Sequence, residues 1–376
     1  MKILFGGGGT GGHFYPIIAI AEKINKIADQ EKILGVKMYY MSDSPYDKSA
    51  LFEQGIKYEY VPAGKMRLYF SIRNFFDIFK VFFGVLTAVI KLFTIFPDVV
   101  FGKGGYASFP ALMAARILRI PVFIHESDSA PGRVNKWAGK FAKRVAVSYE
   151  ECAQYFPKDK TAWTGQPVRE DLKMTLEEGA FEYLKLDKNI PVIFVEGGSL
   201  GAQVINNNLL DVLPELLNKY QIIHQTGKEN FEDVSGRARV IIGSHPNKDN
   251  YKAFPFLNKL AMKMSGGAAE IIVSRAGAGA IAEIASWGKP SIIIPITNSN
   301  GDHQRKNAFS YARAGACSVI EEINLTPSIL VAEINKLMDD SAKREEMSKN
   351  AKAFSKPDAA LTIAREIINM ALEHEK

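Results

Sequence analysis

The chain opens with Lys2-Ile3-Leu4-Phe5, and this short apolar stretch runs directly into Gly6-Gly7-Gly8-Gly9-Thr10-Gly11-Gly12-His13. Pro16 follows, ahead of a run of isoleucines and alanines that continues to Ile24. Proline is tolerated in the first turn of a helix because the backbone N–H there has no intrahelical partner. The pattern therefore predicts a strand, a glycine turn and a helix in that order.

The glycine turn has the composition of an anion-binding loop. Glycine lets the backbone approach a ligand closely, and a helix start offers unpaired N–H groups with a partial positive charge. Gly7, Gly9 and Gly12 satisfy G-x-G-x-x-G, which favours a phosphate-bearing ligand but is weakly specific by itself. His13 is unusual, because a dinucleotide loop needs no imidazole. The alternative is a tight turn in which His13 caps or packs locally.

The same order of elements recurs in the second half of the chain. Residues 191–195 form an apolar stretch, Glu196-Gly197-Gly198-Ser199-Leu200-Gly201 a glycine turn, and residues 202–220 a helical pattern. Two such openings predict an α/β protein with two doubly wound, Rossmann-like domains that face each other across a cleft. Further strands are expected at 36–41, 98–101, 121–124, 221–224, 240–243, 271–273 and 291–294, and residues 161–164 end the first half of the chain.

The segment Ser274-Arg275-Ala276-Gly277, followed by Glu283, predicts a nucleotide-sugar site. A turn of small residues after a strand brings a helix start close to a diphosphate, and a carboxylate in that helix can accept hydrogen bonds from both hydroxyls of a ribose. Taken alone, Glu283 would be an ordinary exposed helix acid. Its position after S-R-A-G favours the functional interpretation.

The net charge of +6 is unevenly distributed. Residues 1–168 carry 22 basic and 14 acidic side chains, and residues 60–145 carry 13 basic and 4 acidic ones. This excess indicates that the first half meets a nucleic acid, an anionic membrane surface or a polyanionic substrate. Because no nucleic-acid-binding module or aromatic-basic RNA motif is present, we expect no nucleic-acid partner.

The two cysteines and the N-terminal sequence indicate in which cellular compartment the protein is expected. Cys152 and Cys317 form no C-x-x-C pair, which fits a reducing compartment. The first apolar stretch stops at Phe5 and lacks the pattern of a signal peptide. We therefore expect a cytoplasmic location.

Residues 71–96 form the most distinctive apolar segment. Small or polar residues make one narrow stripe at helical spacing, and the remaining positions are mostly phenylalanine, leucine, isoleucine and valine. Only ten uncharged residues separate Lys80 from Lys91, which argues against a transmembrane span. The helix is either buried between a sheet and its neighbours or rests one apolar face in a lipid surface. In the second case Phe75, Phe79 and Phe82 enter the lipid, and Lys65, Arg67, Arg73 and Lys80 lie near its phosphates.

Together the motifs resemble the GT-B glycosyltransferases that transfer N-acetylglucosamine from UDP-N-acetylglucosamine to lipid I in peptidoglycan synthesis. The resemblance covers nearly the whole chain. It is carried by G-G-T-G-G-H at 8–13, F-G-K-G-G-Y at 101–106, H-E at 125–126, G-Q-P-V-R at 165–169, G-G-S-L-G-A at 197–202, S-R-A-G at 274–277, H-Q-x-x-N-A at 303–308 and P-D-A-A at 357–360. Each motif alone is weak, but their order and spacing are highly specific.

The resemblance implies a domain division and two sets of binding residues. Residues 1–168, with a last helix at 356–376 that crosses back, would bind the acceptor and the membrane, and residues 169–355 would bind the donor. In the first domain, contacts to the donor are implied for four residues that line the acceptor side of the cleft: Thr10, Gly11, Gly12 and Asp128. The other implied donor contacts are Arg169, Ser199, Leu257 through its backbone, Ala278, Gly279, Ala280, Ile281, Ala282, Glu283, His303 and Gln304. Contacts to the acceptor are implied for Gly8, Gly9, Gly104, Gly105, Tyr106 and Glu126.

The sequence departs from the family pattern at four of these motifs. Asp128 stands where asparagine is usual, Gln166 where asparagine is usual, Leu200 where glutamine is usual, and Ala280 where a hydroxyl residue is common. Asp128 matters most, because a carboxylate near a diphosphate is unfavourable unless it is paired or protonated. It could instead orient His13 or a sugar hydroxyl.

We expect an inverting transfer in which His13 is the general base and no covalent enzyme intermediate forms. The helix start near Ala278 and Arg169 would stabilise the leaving diphosphate. The chain has no D-x-D pair and no Cys/His ligand spacing, so neither a metal nor another cofactor is implied.

Three alternatives remain at this stage: a GT-B transferase for another acceptor, a dinucleotide oxidoreductase, and a nucleic-acid-binding protein. In an oxidoreductase Asp43 would bind the ribose, but it follows Gly12 by 31 residues, later than the usual spacing of about 20. We interpret Asp43 as a helix N-cap instead.

Overall fold

The computed structural model describes residues 1–65, 72–198, 201–297 and 299–375. The chain forms two compact units, one of Met1–Arg169 together with Lys356–Lys376, and one of Glu170–Ser355. Both units are α/β domains built on a wholly parallel sheet, as the repeated strand, glycine turn and helix predicted.

The first domain has a seven-stranded sheet in the order β3-β2-β1-β4-β5-β6-β7. Its strands are β1 (Lys2–Gly6), β2 (Lys37–Ser42), β3 (Ile56–Tyr60), β4 (Val99–Gly102), β5 (Val122–Glu126), β6 (Arg144–Val147) and β7 (Thr161–Trp163). Its first five helices are α1 (Gly11–Glu31), α2 (Lys48–Glu53), α3 (Ile72–Ile95), α4 (Phe109–Ile117) and α5 (Arg133–Ala138). The chain order of the strands reverses between β1 and β4, and ligands of doubly wound sheets bind outside the carboxyl ends of the strands at such a point.

The second domain repeats this plan with six strands in the order β10-β9-β8-β11-β12-β13. The strands are β8 (Val192–Glu196), β9 (Gln221–Gln225), β10 (Tyr251–Phe254), β11 (Ile271–Arg275), β12 (Ser291–Ile294) and β13 (Cys317–Val319). The helices are α6 (Ala180–Leu184), α7 (Gln203–Leu216), α8 (Phe231–Ile242), α9 (Lys259–Ala268), α10 (Ala278–Trp287), α11 (His303–Arg313), α12 (Pro327–Asp339) and α13 (Ser341–Phe354). The strand order reverses between β8 and β11.

The last helix, α14 (Ala359–Glu375), belongs to the first domain. Ile363, Ala364 and Ile367 are fully buried in the same apolar cluster as Ile17 and Ile24 of α1. Burial of apolar surface is the main favourable contribution to such packing. The C-terminus of the chain therefore completes the core of the N-terminal domain.

Central strands were easier to predict than edge strands. β4, β5, β8 and β11 are buried along their whole length and have the continuous apolar sequence typical of parallel sheets. The short strands β3, β6, β7, β10 and β13 were not predicted. The strand predicted at 240–243 is wrong, because this segment ends α8: Val234, Ala238 and Ile242 are buried at helical spacing, whereas Val240 is 84% exposed.

Helix α3 faces the domain with a narrow set of small and polar residues, whereas its phenylalanines face outwards. Asp77, Gly84 and Ala88 are buried, and a Cβ on Gly84 would lie 3.3 Å from the Cγ of Pro110 in α4. The buried-core interpretation of this segment is therefore wrong. The outer surface, which we call the α3 apolar face, consists of exposed large side chains: Phe75, Phe76, Ile78, Phe79, Phe82, Phe83, Leu86, Ile90 and Phe93.

Length and composition alone would also allow this helix to cross a membrane. The window Phe75–Ile95 has a mean hydropathy of 2.1, and 17% of it is buried. Its inner stripe is nevertheless fixed to the domain, since Leu92 is fully buried and Lys91 Nζ lies 2.6 Å from Glu59 Oε2. The predicted basic residue Arg67 lies outside the described residues, as does the side chain of Arg73.

Candidate functional site

The first glycine loop turns sharply between β1 and α1. Gly8 and Gly9 have φ angles of 133° and 85°, in the region that favours glycine. A Cβ on Gly9 would lie 3.0 Å from the Tyr106 ring, and one on Gly8 would collide with Ser42. The Tyr40 hydroxyl donates to the Gly7 carbonyl at 3.1 Å. Tyr40 thus holds the loop in place through this hydrogen bond, and a side chain at Gly8 or Gly9 would displace the loop because it would contact Ser42 or Tyr106.

His13 lies in the first turn of α1, beside Thr10. Thr10 Oγ1 and His13 Nδ1 are 3.0 Å apart, and the imidazole is half-buried. The ring also faces Gly105, where a Cβ would lie 3.3 Å from Nδ1. The loops after β1 and β4 are therefore adjacent, so the structure brings Thr10, His13 and Gly105 together. Gly11 and Gly12 open the helix next to them.

Tyr106 is oriented by an aspartate that sequence reasoning had assigned elsewhere. The Tyr106 hydroxyl donates to Asp43 Oδ2 at 2.9 Å. The prediction that Asp43 is an N-cap is wrong, because α2 begins at Lys48 and Asp47 caps it by accepting from Ala50 N at 3.1 Å. Burial and Asp43 raise the pKa of Tyr106 to about 12, so its hydroxyl keeps its proton at neutral pH. Asp43 thus fixes the ring beside Gly9.

Glu126 supports the loop that carries Asp128. Its Oε1 accepts from Asp128 N at 3.0 Å, and its Oε2 accepts from Gly132 N at 3.0 Å and Asn135 Nδ2 at 2.9 Å. Burial and the neighbouring Asp128 raise the pKa of Glu126. Because both carboxylate oxygens are engaged, Glu126 is positioned to shape the loop, whereas Asp128 is half-exposed at its surface.

Lys103 directly follows β4 and lies next to this loop, and the sequence did not predict a role for it. It is 1% exposed, and its Nζ donates to Ser127 Oγ. Burial lowers its pKa to about 8, while Glu126 and Asp128 act in the opposite direction. The signal was present in F-G-K-G-G-Y, since a lysine directly after a buried strand must be paired or solvated.

His125 has a structural position. It is fully buried, and its Nε2 lies 3.0 Å from the Gly165 carbonyl oxygen and 3.3 Å from Ser148 Oγ. Burial, reinforced by Lys103, holds the pKa of His125 well below its usual value. This imidazole therefore stays neutral, and it joins the end of β5 to the segment that leaves the first domain.

In the second domain, α10 begins directly after the loop that follows β11. Gly277 precedes the helix in extended conformation, and a Cβ on Gly277 or Gly279 would meet none of the described atoms within 4 Å. The backbone N–H groups of this helix start are thus approachable by a ligand. Glu283 is half-buried on α10, as are Ala280 and Ala282, whereas the Ile281 side chain lies in the core.

The side chains of Arg275 and Asn307 fix the loop before α10 by hydrogen bonds, and the sequence did not predict this role for either residue. Arg275 Nη1 donates to the Ile294 carbonyl at 3.2 Å, and Arg275 Nη2 donates to Glu322 Oε1 at 2.5 Å. Asn307 Nδ2 of α11 donates to the Ala276 carbonyl at 3.2 Å. These contacts position the helix start and connect it to the loop after β12.

His303 and Gln304 open α11. Gln304 Oε1 accepts from Ile296 N at 3.2 Å, which leaves its amide group as the donor toward a ligand. The Leu257 N–H is donated to Gln225 Oε1 at 3.0 Å. A backbone contact of Leu257 with a ligand would therefore use its carbonyl oxygen.

Two further predicted donor contacts, Arg169 and Ser199, are not among the described residues of the second domain. Arg169 is in the first unit, where its guanidinium carbon is 4.3 Å from the ring centroid of Tyr15. Ser199 lies outside the described residues, together with Leu200.

A buried acid lies at the end of β8, below the second glycine turn. Glu196 is 3% exposed, and its Oε1 accepts from Ser274 Oγ at 2.9 Å. Burial raises the pKa of Glu196 to about 7. Its protonation therefore changes near neutral pH at the switch point of the second sheet.

Comparison with protein families matches both domains. Residues 3–147 match the glycosyltransferase family 28 N-terminal domain, and residues 192–363 match the glycosyltransferase family 28 C-terminal domain.

Similarity to individual proteins extends over nearly the full length. A Bacillus cereus protein named UDP-N-acetylglucosamine--N-acetylmuramyl-(pentapeptide) pyrophosphoryl-undecaprenol N-acetylglucosamine transferase 2 is 36% identical, covering 97% of this chain and 99% of the relative. The transferase of that name from Clostridium tetani is 35% identical, covering 94% of both chains.

Solved structures share the fold. MurG from Acinetobacter baumannii aligns with a TM-score of 0.73 and 26% identity, covering 98% of this chain and 99% of the other. A Neisseria meningitidis UDP-GlcNAc 2-epimerase bound to UDP-GlcNAc aligns with a TM-score of 0.68 at 17% identity, covering 99% and 100%, and this likeness shows the fold alone.

Proposed function

The chain belongs to glycosyltransferase family 28, and from that membership we propose that it transfers N-acetylglucosamine from UDP-N-acetylglucosamine to the muramyl sugar of lipid I, forming lipid II. The observation that carries this proposal is the 36% identity over 97% of the chain to a transferase named for these substrates. The glycine loop at the start of α1 and the helix start of α10, each within its own domain, support it.

The second domain supplies the groups that a UDP-sugar requires. The start of α10 presents backbone N–H groups and a partial positive charge to a diphosphate. Glu283, within the same helix, accepts hydrogen bonds from the ribose hydroxyls. Gln304, through its amide, and Leu257, through its carbonyl oxygen, complete the donor contacts.

His13 is the general base of the proposed reaction. With a hydrogen on Nδ1 shared with Thr10 Oγ1, the imidazole presents the lone pair of Nε2. Nε2 takes the proton of the acceptor hydroxyl as its oxygen forms a bond to the anomeric carbon. The bond from that carbon to the UDP oxygen breaks on the opposite side, so the configuration inverts and UDP leaves with the electron pair.

Charge on the leaving diphosphate is stabilised by the α10 start and by a cation. Arg169 is our candidate for this cation, since its guanidinium is held over the Tyr15 ring in the first domain. Gly105 lies against His13, and we assign it to the acceptor side together with Gly8, Gly9, Gly104 and Tyr106 of the same two loops.

The α3 apolar face is our candidate for membrane attachment at the cytoplasmic surface. Phe75, Phe79 and Phe82 are 59%, 49% and 63% exposed on a helix that is otherwise fixed to the domain. A lipid surface would cover these rings, and the basic excess of residues 60–145 would lie near anionic headgroups. The acceptor is itself a lipid, so attachment would bring the enzyme to its substrate.

One experiment tests the proposal directly. The protein is incubated with UDP-N-acetylglucosamine and lipid I, and both UDP release and the disaccharide lipid are measured; parallel reactions contain UDP-glucose or an undecaprenyl phosphate without the muramyl sugar. We expect product only with the authentic pair. Turnover on another acceptor with no product from lipid I would contradict the proposal and identify a different UDP-sugar transferase.

A further inference from the structure

A buried cation and two carboxylates meet at the carboxyl ends of β4 and β5. Lys103 directly follows β4, and Glu126 ends β5, with Ser127 and Asp128 after it. Besides donating through Nζ to Ser127 Oγ, Lys103 donates its backbone N–H to the Gly6 carbonyl at 2.8 Å. Lys103 thus joins the ends of β1, β4 and β5.

The charges in this cluster depend on one another. An ammonium group buried as deeply as Lys103 is stable only beside negative charge. Glu126 is held in place by three hydrogen bonds, and Asp128 is the carboxylate that reaches the surface. Among the described residues, Glu126 and Asp128 raise the pKa of Lys103 against the effect of burial, and Lys103 in turn lowers the pKa of His125.

An aspartate at position 128 would by itself be unfavourable beside diphosphate substrates. A carboxylate can only accept hydrogen bonds, so it suits the hydroxyl and amide groups of a sugar and repels phosphate. A cation behind the carboxylate removes this conflict, because it offsets the negative charge.

We propose that Lys103 is a positioning residue that acts through Asp128, holding its carboxylate in place as the acceptor for a hydroxyl or amide N–H of a substrate sugar. This inference rests on the proposed sugar transfer. According to this inference Lys103 and Asp128 act together: the lysine offsets the negative charge of the aspartate, so that an aspartate is tolerated in a site for diphosphate substrates.

The test is a double-mutant cycle with Lys103→Met, Asp128→Asn and the double variant, assayed for kcat and KM. Lys103→Met leaves the two carboxylates without their cation, and we expect kcat/KM to fall by about 30-fold or more. Adding Asp128→Asn should restore at least about 10-fold, because it removes the uncompensated charge. Lys23→Met, which removes another largely buried lysine of this domain, is the matched control and should combine additively with Asp128→Asn.

The pH dependence separates positioning from a purely structural role. In the wild type, kcat/KM should decline above about pH 8 as Lys103 loses its proton. This decline should vanish in Asp128→Asn as well as in Lys103→Met, because the lysine acts through the aspartate. Persistence of the decline in Asp128→Asn, or additive losses in the cycle, overturns the inference.

A second measurement is independent of the acceptor. The same four proteins are unfolded thermally without substrates, and Asp128→Asn should recover part of the midpoint lost in Lys103→Met. If the change in midpoint of the double variant equals the sum of the changes in the two single variants, the pairing of Lys103 with Asp128 is overturned. Absence of wild-type transfer to lipid I contradicts the proposed function, whereas the unfolding cycle still decides between paired and independent residues.

Discussion

The imidazole of His13 lies against the backbone of Gly105, with no room for a side chain between them. A Cβ on Gly105 would be 3.3 Å from His13 Nδ1 and 3.1 Å from the Gly8 carbonyl oxygen. Gly105 has a φ of 76°, in the region that favours glycine. The loop after β4 therefore fixes the position of the proposed base.

Removal of the imidazole should affect turnover and spare donor binding. His13→Ala is expected to lower kcat by about 10²- to 10⁴-fold, the usual contribution of a general base. The Kd for UDP-N-acetylglucosamine, measured by calorimetry, should change little because His13 is not among the predicted donor contacts. Wild-type-like turnover in His13→Ala would rule out the base assignment.

Gly105→Ala should displace His13 and lower kcat even though His13 is intact. Gly35→Ala is a matched control, since Gly35 has a φ of 71° and a Cβ there would meet none of the described atoms within 4 Å. Both variants should lose about 1 kcal/mol of unfolding free energy from backbone strain. Only Gly105→Ala should lose activity, and equal kcat values for the two variants would contradict the contact.

Glu283→Ala should weaken donor binding. Hydrogen bonds to a charged group contribute about 1.5–3 kcal/mol, so the Kd for UDP-N-acetylglucosamine should rise by about 10- to 100-fold. Glu232→Ala, which removes an exposed acid from the first turn of α8, is the control and should bind normally. Unchanged affinity in Glu283→Ala would make Glu283 an ordinary helix acid.

The α3 apolar face should bind lipid without supporting the fold. Phe75→Ser with Phe79→Ser should reduce binding to vesicles containing anionic lipid by about 10-fold or more, since each ring buries apolar area in the interface. The thermal unfolding midpoint of this double variant should equal that of the wild type. Phe52→Ser removes a phenylalanine that is 88% exposed on α2 and should leave binding unchanged. Loss of stability with intact vesicle binding would show that the rings serve the fold.

Stability of the second domain should depend on pH through Glu196. Its pKa in the folded protein, about 7, is above the ordinary value of 4.5, so the folded state favours the protonated acid. This contribution is complete below the unfolded pKa and is lost as pH rises through the folded one. Between about pH 5 and pH 8 the wild type should therefore lose on the order of 3 kcal/mol of unfolding free energy relative to Glu196→Gln. Parallel pH profiles for the two proteins would contradict the raised pKa.

Local sequence determined the two strand, glycine turn and helix openings, and with them the fold class. Such openings are encoded within about a dozen residues, because backbone freedom, helix starts and apolar runs act locally. The ordered motifs likewise identified the family, which the family 28 matches and the full-length relatives confirm. Edge strands such as β10 were missed because a short strand has too few residues for a periodic signal.

Only the tertiary structure decided which residues of these motifs meet. Asp43 reaches Tyr106 across 63 positions, and Lys103 reaches Ser127 across 24, so neither pairing is visible in a local pattern. The orientation of α3 was equally undecided by its sequence, because an apolar helix can face a core or a lipid surface with the same periodicity. Packing against the domain selected its polar stripe as the inner side and left the phenylalanines outside, since Asp77, Gly84 and Ala88 fill the contact and the larger rings do not.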